Sequence, residues 1–505
     1  MVLPIDREGR PVAAGSPDRP SWWRKRWQGL VVRCSALALC VAAVSTGGAW
    51  DLPPAAATPP HVVFVFADQW RADACGFAGD PNVKTPHLDR LASQSIRFTQ
   101  AVSSCPVCSP YRASLLTGRR PLSHGVFVND VPLAAHEVSI AEVFAAQGYT
   151  TAYIGKWHVD GHGRSAYIPP ERRQGFEYFQ VLECTHDYNH SPYYAGDDPT
   201  RRIWEGYDAL AQTEDAIRYL RQAAAGPQPF LLMLSWGPPH NPYDTAPESF
   251  RAMYRAEAIQ VRPNVPPAHA AQARQDLAGY YAHCSALDAC LGRLWQTLCD
   301  LQIEDETLLV FTSDHGDLLY SHGQVRKQQP WDEAIRVPLV VHYPRLFGDE
   351  GKSLDAVIST EDLLPTLAGL AGLPVPPSVD GLDFSRYMQG AADPSDGAAL
   401  LTCVTPFGEW RRDRGGREYR GLRTRQYTYV RSLDGPWLLF DNQADPYQLT
   451  NLVDRPASRG TCAELDALLQ RKLAASGDQF LPGAAYLERW GYQVDAATGT
   501  VPYTN

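Results

Sequence analysis

Residues 61–67 read HVVFVFA, and this stretch decides the fold class. Its unbroken apolar character over a short span predicts a β-strand covered on both faces, as in a parallel sheet with helices on each side. Runs of the same kind recur at residues 151–155, 230–237, 307–313 and 337–343. We therefore expect these segments to be strands of one buried sheet.

Helical patterns separate these strands, at residues 88–95, 140–147, 208–224 and 272–301. The alternation predicts an α/β, doubly wound fold to about residue 390, with a large mixed, mainly parallel sheet sandwiched by helices. The turn-rich stretch GAADPSDG at 390–397 marks a boundary. Beyond it, residues 419–432 and 436–441 predict antiparallel strands around the turn Asp434-Gly435, and residues 463–476 predict a closing helix.

These signals divide the chain into three parts. Residues 1–58 form a leader and a Pro/Ala-rich linker, residues 59–390 a large α/β domain, and residues 398–505 a smaller α+β domain that contains an antiparallel sheet. In the leader, basic residues precede the apolar stretch 34–44, and small residues follow it, which is the order of a secretory signal. We expect export to the periplasm or the extracellular space. The alternative is a misannotated N-terminus on a cytoplasmic protein.

Composition limits the classes of function. The chain has 505 residues, of which 44% are hydrophobic and 20% charged, as in a globular protein with a sizeable core. The formal net charge of -10 argues against nucleic acid as a partner, because nucleic-acid-binding proteins usually carry a basic face. A local cationic pocket can still bind a small anion. The 11 cysteines show no regular spacing and do not predict a disulfide framework. No oligomeric state follows from the sequence.

Polar residues follow several of the predicted strands, where ligands of open parallel sheets bind. Asp68-Gln69, Lys156, His158, His240 and Asp314-His315 occupy these positions. Oxygen donors of Asp68, Gln69 and Asp314 suit Ca²⁺ or Mg²⁺, whereas His315 leaves Mn²⁺ or Zn²⁺ open. The sequence therefore predicts a divalent-metal site. The alternative for each pair is a turn cap at a strand end.

Residues 108–112, CSPYR, are the sharpest local motif. Ser109-Pro110 predicts the start of a helix that Gly118 ends, which places Cys108 at a helix N-terminus, where free N–H groups favour negative charge. Arg112 lies one turn further on the same side and suits a tetrahedral oxyanion. Cys105 and Cys108 also form a C-x-x-C, so a redox pair or a zinc half-site is an alternative, although no second C-x-x-C completes a zinc site.

The motif resembles the signature C-x-P-x-R, followed by T-G, of type I (formylglycine-dependent) sulfatases of the alkaline phosphatase superfamily. The other motifs occur in that family's order: the N-terminal acidic pair, at Asp68-Gln69 here, then G-K-W-H, a lone His, D-H-G, and a Lys before R-V-P. The resemblance spans about residues 60–390. It extends weakly to DPYQLTNL at 445–452 in the C-terminal part.

The resemblance implies an alkaline phosphatase-like fold and hydrolysis of sulfate esters, of a sulfated carbohydrate or an aryl sulfate. It implies that a formylglycine-generating enzyme converts Cys108 to 3-oxoalanine (formylglycine). The metal, Ca²⁺ before Mg²⁺ or Mn²⁺, would be bound by Asp68, Gln69, Asp314, His315 and the modified Cys108. Gln69 departs from the Asp that the family often has. A phosphodiester or phosphonate monoester hydrolase that uses the same site is the alternative function.

The resemblance also implies roles for the remaining polar residues. Arg112 would hold the aldehyde hydrate, Lys156, His240 and Lys327 would bind the sulfate oxygens, and His158 would help to expel sulfate. The segment 184–194, CTHDYNHSPYY, is rich in polar and aromatic residues that suit recognition of a carbohydrate or an aromatic group. We therefore predict that His186, Asp187 or His190 contacts the group beyond the sulfate. The alternative is an ordinary surface loop.

Overall fold

A 10-stranded sheet and a four-stranded sheet organise the chain. The computed structural model describes residues 58–495 and 497–502, so the predicted leader before Thr58 lies outside the described residues. The strands of the large sheet are β1 His61–Asp68, β2 Ile96–Val102, β3 Thr150–Lys156, β4 Tyr178–Leu182, β5 Pro192–Ala195, β6 Asp198–Ile203, β7 Phe230–Pro239, β8 Thr307–Ser313, β9 Leu339–His342 and β10 Lys352–Ser359. The small sheet contains β11 Ala398–Cys403, β12 Tyr419–Thr424, β13 Tyr427–Ser432 and β14 Gly435–Asp441.

The helices flank these sheets. They are α1 Pro86–Ala92, α2 Cys108–Thr117, α3 Pro121–His124, α4 Ile140–Ala145, α5 Asp208–Ala223, α6 Glu248–Arg251, α7 Ala270–Asp300, α8 Asp332–Ile335, α9 Pro344–Phe347, α10 Leu363–Leu370, α11 Ser385–Met388, α12 Arg459–Ala475 and α13 Gly483–Trp490. Within the described part of the chain, no helix combines the length and the apolar character that a bilayer span requires.

The large sheet has the strand order β10-β2-β9-β8-β1-β7-β3-β4-β5-β6. The centre of the sheet is the run β8-β1-β7-β3-β4, in which each strand is parallel to the next one. Alternate residues of β1 enter two different cores. Val62, Phe64 and Phe66 pack towards α2, α4 and α10, whereas Val63, Val65 and Ala67 pack towards α1, α5 and α7. The prediction of a mainly parallel sheet covered on both faces is confirmed.

Several details differ from the sequence-based expectation. Strand β9 confirms the apolar run at 337–343 as a buried strand, but it runs antiparallel to both β8 and β2 and so does not continue the parallel series. An apolar run shows that both faces are buried, but it carries no information on direction. The sequence analysis did not predict strands β2, β4, β5, β6, β10 and β11; β6, for example, is largely exposed and lacks an apolar pattern. The run at 419–432 is two strands, β12 and β13, which are separated at Arg425 and Gln426.

The small sheet is antiparallel throughout. One face packs on residues of the large sheet, such as Val102 and Val357, and the other face packs on α12 through Leu465, Leu469 and Leu473. The loop between β11 and β12 is tied to the large α/β domain by hydrogen bonds between the Gln328 side chain and the Phe407 backbone. This placement brings the loop to the site described next.

Candidate active site

The sheet order places the predicted functional residues side by side. Asp68 ends β1, and Asp314 follows β8, the neighbour of β1 on one side. On the other side, His240 follows β7 and Lys156 ends β3. Because these strands are parallel, their carboxyl ends meet at one edge. The structure therefore brings together residues that lie far apart in the sequence.

Cys108 is the first residue of α2, and Gly118, with a φ of 65°, ends the helix, as the motif predicted. Every residue of α2 is buried. The Cys108 Sγ atom lies 3.0 Å from Lys327 Nζ, 3.4 Å from His315 Nε2, and 3.7 Å from both Lys156 Nζ and Asp68 Oδ1. The thiol thus stands at the centre of the predicted set.

The surrounding cations stabilise a negative charge at position 108. Burial and the Asp68 carboxylate raise the pKa of the Cys108 thiol, but Lys156 and Lys327 outweigh them and hold that pKa well below its usual value. Lys156 donates to Asp68 Oδ2 at 2.6 Å. Burial opposes the charge of both lysines, yet their anionic neighbours raise the pKa of Lys156 and of Lys327 above the usual value. Both ammonium groups therefore stay charged at neutral pH.

Arg112 joins the walls of the site. Its Nη2 atom lies 3.3 Å from both Asp68 Oδ2 and Asp314 Oδ2, and its Nη1 atom donates to Ser235 Oγ and the Lys156 carbonyl, each at 2.7 Å. The guanidinium is buried and ties β1, β3, β7 and the end of β8 together. Arg112 therefore offsets the charge of the two carboxylates and fixes their positions.

One group of residues could hold a cation. The ligand atoms of Asp68, Cys108, Asp314 and His315 all lie within 4.8 Å of one another, and all four residues are buried. Gln69 adjoins them, since its backbone N–H donates to Asp314 Oδ1 at 2.9 Å. Its side-chain Nε2 donates to Asp317 Oδ2 at 2.6 Å, while its buried Oε1 has no hydrogen-bond partner among the described residues. The donor set fits a divalent cation.

The two carboxylates have different proton affinities. Burial raises the pKa of Asp68, but the charges of Lys156 and Lys327 lower it further than burial raises it. Burial and the neighbouring Asp68 charge raise the pKa of Asp314 to about 6. Two buried carboxylates this close repel each other, which favours a cation between them.

Two histidines differ in charge. Burial and the Lys327 charge hold the pKa of His240 well below its usual value, so its imidazole is neutral. His240 stacks on His186, with ring centroids 4.5 Å apart. Burial lowers the pKa of His158, but Cys184 and a hydrogen bond with Asp130 outweigh it and raise that pKa to about 10. His158 Nε2 lies 3.0 Å from Asp130 Oδ1. His158 therefore carries a proton at neutral pH.

Several residues of the site adopt left-handed backbone conformations that non-glycine residues rarely take. These are Gln69 (φ 74°), His158 (φ 59°), Arg326 (φ 66°) and Gln328 (φ 72°), the last two on either side of Lys327. Strain of this kind persists where the surrounding structure fixes the residue, and it clusters at functional sites. Gly316, the glycine of the D-H-G motif, is required for a different reason, because the chain packs too closely there for a side chain. A Cβ at Gly316 would lie 1.9 Å from the Glu333 carbonyl oxygen.

A cavity of about 440 Å³ opens over the thiol. Its described lining includes Lys156, His158, His240, Lys327 and His186. Asp187 and His190 are not part of that lining. Both are exposed, and Asp187 Oδ1 accepts from the His190 backbone N–H at 3.1 Å. Of the residues predicted to contact the group beyond the sulfate, the structure brings only His186 into the cavity.

Sequence reasoning missed residues that hold the functional groups. Asp317 holds the Gln69 amide, Ser235 holds Arg112, and Asp130 holds His158. Ser235 did leave a signal, because it is a polar residue inside the apolar run at 230–237. Asp130 left none, since it lies in an irregular stretch without a motif.

Comparison with known proteins agrees with this architecture. A solved structure of a yidJ-type sulfatase from Bacteroides fragilis is 29% identical, covers 86% of this chain and 99% of its own, and superposes with a TM-score of 0.77. The mixed sheet and the residues at its carboxyl edge define a hydrolase of the alkaline phosphatase superfamily.

The family assignment rests on sequence. The sulfatase family model matches residues 60–373, and the model for the C-terminal region of N-sulphoglucosamine sulphohydrolase matches residues 321–475. The ulvan-active sulfatase of Formosa agariphila is 45% identical over 88% of this chain and 87% of its own length. The endo-4-O-sulfatase of Bacteroides thetaiotaomicron is 30% identical over 78% of this chain and 88% of its own. The chain belongs to the sulfatase family.

Proposed function

We propose that this protein hydrolyses sulfate esters of a carbohydrate and releases inorganic sulfate. The observation that carries the proposal is the position of Cys108, at the N-terminus of α2, within 3.7 Å of two lysines, His315 and Asp68. A nucleophile beside fixed cations suits an ester whose transition state spreads negative charge over several oxygens. The names of the relatives, which act on ulvan or as an endo-4-O-sulfatase, support a glycan as the substrate.

The proposal includes conversion of Cys108 to formylglycine by a formylglycine-generating enzyme. The match of residues 108–112 to the family signature supports this step. The modified residue would supply a hydrated aldehyde, with one hydroxyl to attack sulfur and a second hydroxyl to release the sulfate. Lys327, His315 and Lys156, which surround the Sγ atom, would contact the same position after the conversion.

The proposal also includes a divalent cation, with Ca²⁺ as the first choice and Mg²⁺ or Mn²⁺ as alternatives. Asp68, Gln69, Asp314, His315 and the modified Cys108 would hold it. The partnerless Oε1 of Gln69 and the repulsion between the two carboxylates support a cation at this point. When bound, the cation would offset the carboxylate charge and polarise a sulfate oxygen.

The other residues have roles that follow from their charge and position. Lys156 and Lys327 stay protonated and would bind the nonbridging sulfate oxygens. His240 is neutral and buried, so its ring can exchange a hydrogen bond with an ester oxygen without adding charge. His158 keeps its proton against Asp130 and can give it to a departing oxygen. Arg112 keeps the carboxylates in place.

The test compares ester classes on protein made with and without the formylglycine-generating enzyme. We expect nitrophenyl sulfate to be cleaved faster than a nitrophenyl phosphonate ester, and only by the protein made with that enzyme. Peptide mass spectrometry should show a residue lighter than cysteine at position 108. Faster phosphonate cleavage would favour the alternative hydrolase, and full activity with an unmodified thiol would refute the proposal.

A further inference from the structure

The mouth of the cavity carries arginines that the hydrolysis of a sulfate ester does not use. Arg164, Arg411 and Arg414 line it together with Glu409. At the floor, Lys156 and Lys327 already surround the Cys108 Sγ atom, beside which the scissile sulfate of the proposed reaction would bind. The volume of about 440 Å³ is within the range of pockets that hold a drug-sized ligand, so it has room for sugar beyond the sulfate. A different role is therefore open to the arginines at the mouth.

The loop between β11 and β12 that carries Arg411 and Arg414 is fixed to the floor. Gln328, the residue after Lys327, donates through Nε2 to the Phe407 carbonyl at 2.9 Å and accepts at Oε1 from the Phe407 N–H at 3.2 Å. The Gly408 N–H donates to the Thr498 carbonyl at 2.9 Å, and Trp410 is buried. The loop therefore holds its arginines in a set relation to the scissile sulfate, which lowers the entropy cost of binding.

The charges at the mouth are available to a ligand. Arg411 forms a forked pair with Asp413, with both N–O distances at 3.0 Å, but this pair is solvent-exposed and contributes little. The Arg414 side chain is exposed. Arg164 is held by Asp130, the partner of His158. The formal charge of the whole chain is -10, so three arginines that line one opening are a local departure from the overall charge.

We propose that Arg411 and Arg414 form a second anion subsite, with Arg164 at the mouth contributing further positive charge. It binds a carboxylate or a second sulfate group on the sugar next to the sulfate that is cleaved. Guanidinium groups pair with both anions through forked hydrogen bonds. Glu409, at the same mouth, accepts from a sugar hydroxyl. This inference rests on the proposed function and names the substrate class, an acidic glycan with more than one anionic group.

The test compares substrates that differ in the second anion. We propose the double variant R411Q/R414Q, with R425Q as the control, because Arg425 is an exposed arginine paired with Asp355 outside this cavity. The substrates are nitrophenyl sulfate, a monosulfated disaccharide with a uronic acid, its carboxyl-reduced form, and a disulfated neutral disaccharide. We expect the double variant to lower kcat/KM about 10- to 100-fold on the substrate with the effective second anion. On nitrophenyl sulfate it should stay within about twofold of the unchanged protein.

The substrate arms identify the anion. If R411Q/R414Q lowers kcat/KM on the uronic acid disaccharide but not on its carboxyl-reduced form, the second anion is a carboxylate. If the variant lowers kcat/KM only on the disulfated compound, the second anion is a sulfate group. An equal effect of R411Q/R414Q on all substrates, or no effect on any, overturns the subsite. Calorimetric binding of the desulfated uronic acid disaccharide and of a neutral disaccharide carrying one uncleaved sulfate needs no turnover. These measurements separate a failed subsite from a failed sulfatase: the subsite stands if R411Q/R414Q weakens binding of either compound and falls if it weakens neither.

Discussion

The floor and the mouth of the cavity are built differently. The floor consists of residues at strand ends of the central parallel sheet, such as Asp68, Lys156 and Asp314, which are at most 6% exposed and held by several hydrogen bonds each. The mouth consists of loop residues, such as His186 and Arg414, that contact solvent. Rigid sheet edges suit chemistry that tolerates little displacement, whereas loops on the same scaffold can change with the substrate. We infer that the floor determines the reaction and the mouth determines the substrate.

Substitution of Cys108, the proposed nucleophile at the floor, should have the largest effect. Cys108→Ala should lower kcat on every sulfate ester by about 10⁴-fold or more, because the reacting atom is lost. Stopped or continuous assays with nitrophenyl sulfate measure this. Thermal unfolding should stay close to that of the unchanged protein, since Ala fits the space of Cys. Residual turnover within tenfold of the unchanged protein would contradict the assignment of the floor.

Removal of one cationic side chain from the floor should have the second-largest effect on activity. Lys327→Ala should lower kcat/KM by about 10²- to 10³-fold, since a preorganised charge that faces the reacting group is lost. The matched control is Lys352→Ala, because Lys352 is an exposed lysine on β10 and should leave the rate unchanged. If both variants behaved alike, the distinction between floor and surface would fail.

A pH titration tests a residue that supports the floor. Glu183 Oε1 accepts from the backbone N–H groups of Asp160 and Gly161, each at 2.9 Å, in the loop after His158. Burial raises the pKa of Glu183 from 4.5 to about 7. The folded state therefore binds this proton more tightly than the unfolded state. The resulting stability is fully present below pH 4.5 and is lost as the pH rises to about 7.

The loss of unfolding free energy between these pH values amounts to about 3 kcal/mol for a pKa shift of this size. Glu183→Gln should remove this pH-dependent loss, because the amide does not titrate. Denaturant unfolding at several pH values should show a flatter profile for the variant than for the unchanged protein. Glu171→Gln serves as the control, because Glu171 is exposed. Parallel profiles for Glu183→Gln and the unchanged protein would show that the buried carboxyl does not hold a proton.

Substitutions at the mouth should have the smallest effects on a small ester. His186→Ala should lower kcat/KM roughly tenfold or less, because it removes a ring stacked on His240. Asp187→Ala and His190→Ala should change it less than about twofold, since their exposed pair lies outside the cavity. Steady-state kinetics on nitrophenyl sulfate and on a sulfated oligosaccharide measure both. A large loss with Asp187→Ala or His190→Ala on the oligosaccharide would extend the mouth to that loop.

The sequence predicted the floor far better than the mouth. The floor follows from local signals, since a buried strand, a polar residue at its end and a C-x-P-x-R motif all lie within short stretches. The mouth depends on contacts between distant segments, such as the bonds between Gln328 and Phe407. No local pattern indicates that Arg411 and Arg414 line the same cavity as Cys108. The direction of β9 was missed for the same reason, because strand pairing is a property of the whole sheet.

The burial of α2 has a consequence for biosynthesis. Residues 108–112 are buried in the folded protein, and the cavity lining includes Cys108 but not residues 109–112, so another enzyme cannot bind this segment once the core has closed. If Cys108 is oxidised by such an enzyme, the oxidation must occur on the nascent or translocating chain. Mature, folded protein mixed with the oxidising enzyme afterwards would then remain inactive. Recombinant production would depend on a host that supplies the enzyme during synthesis.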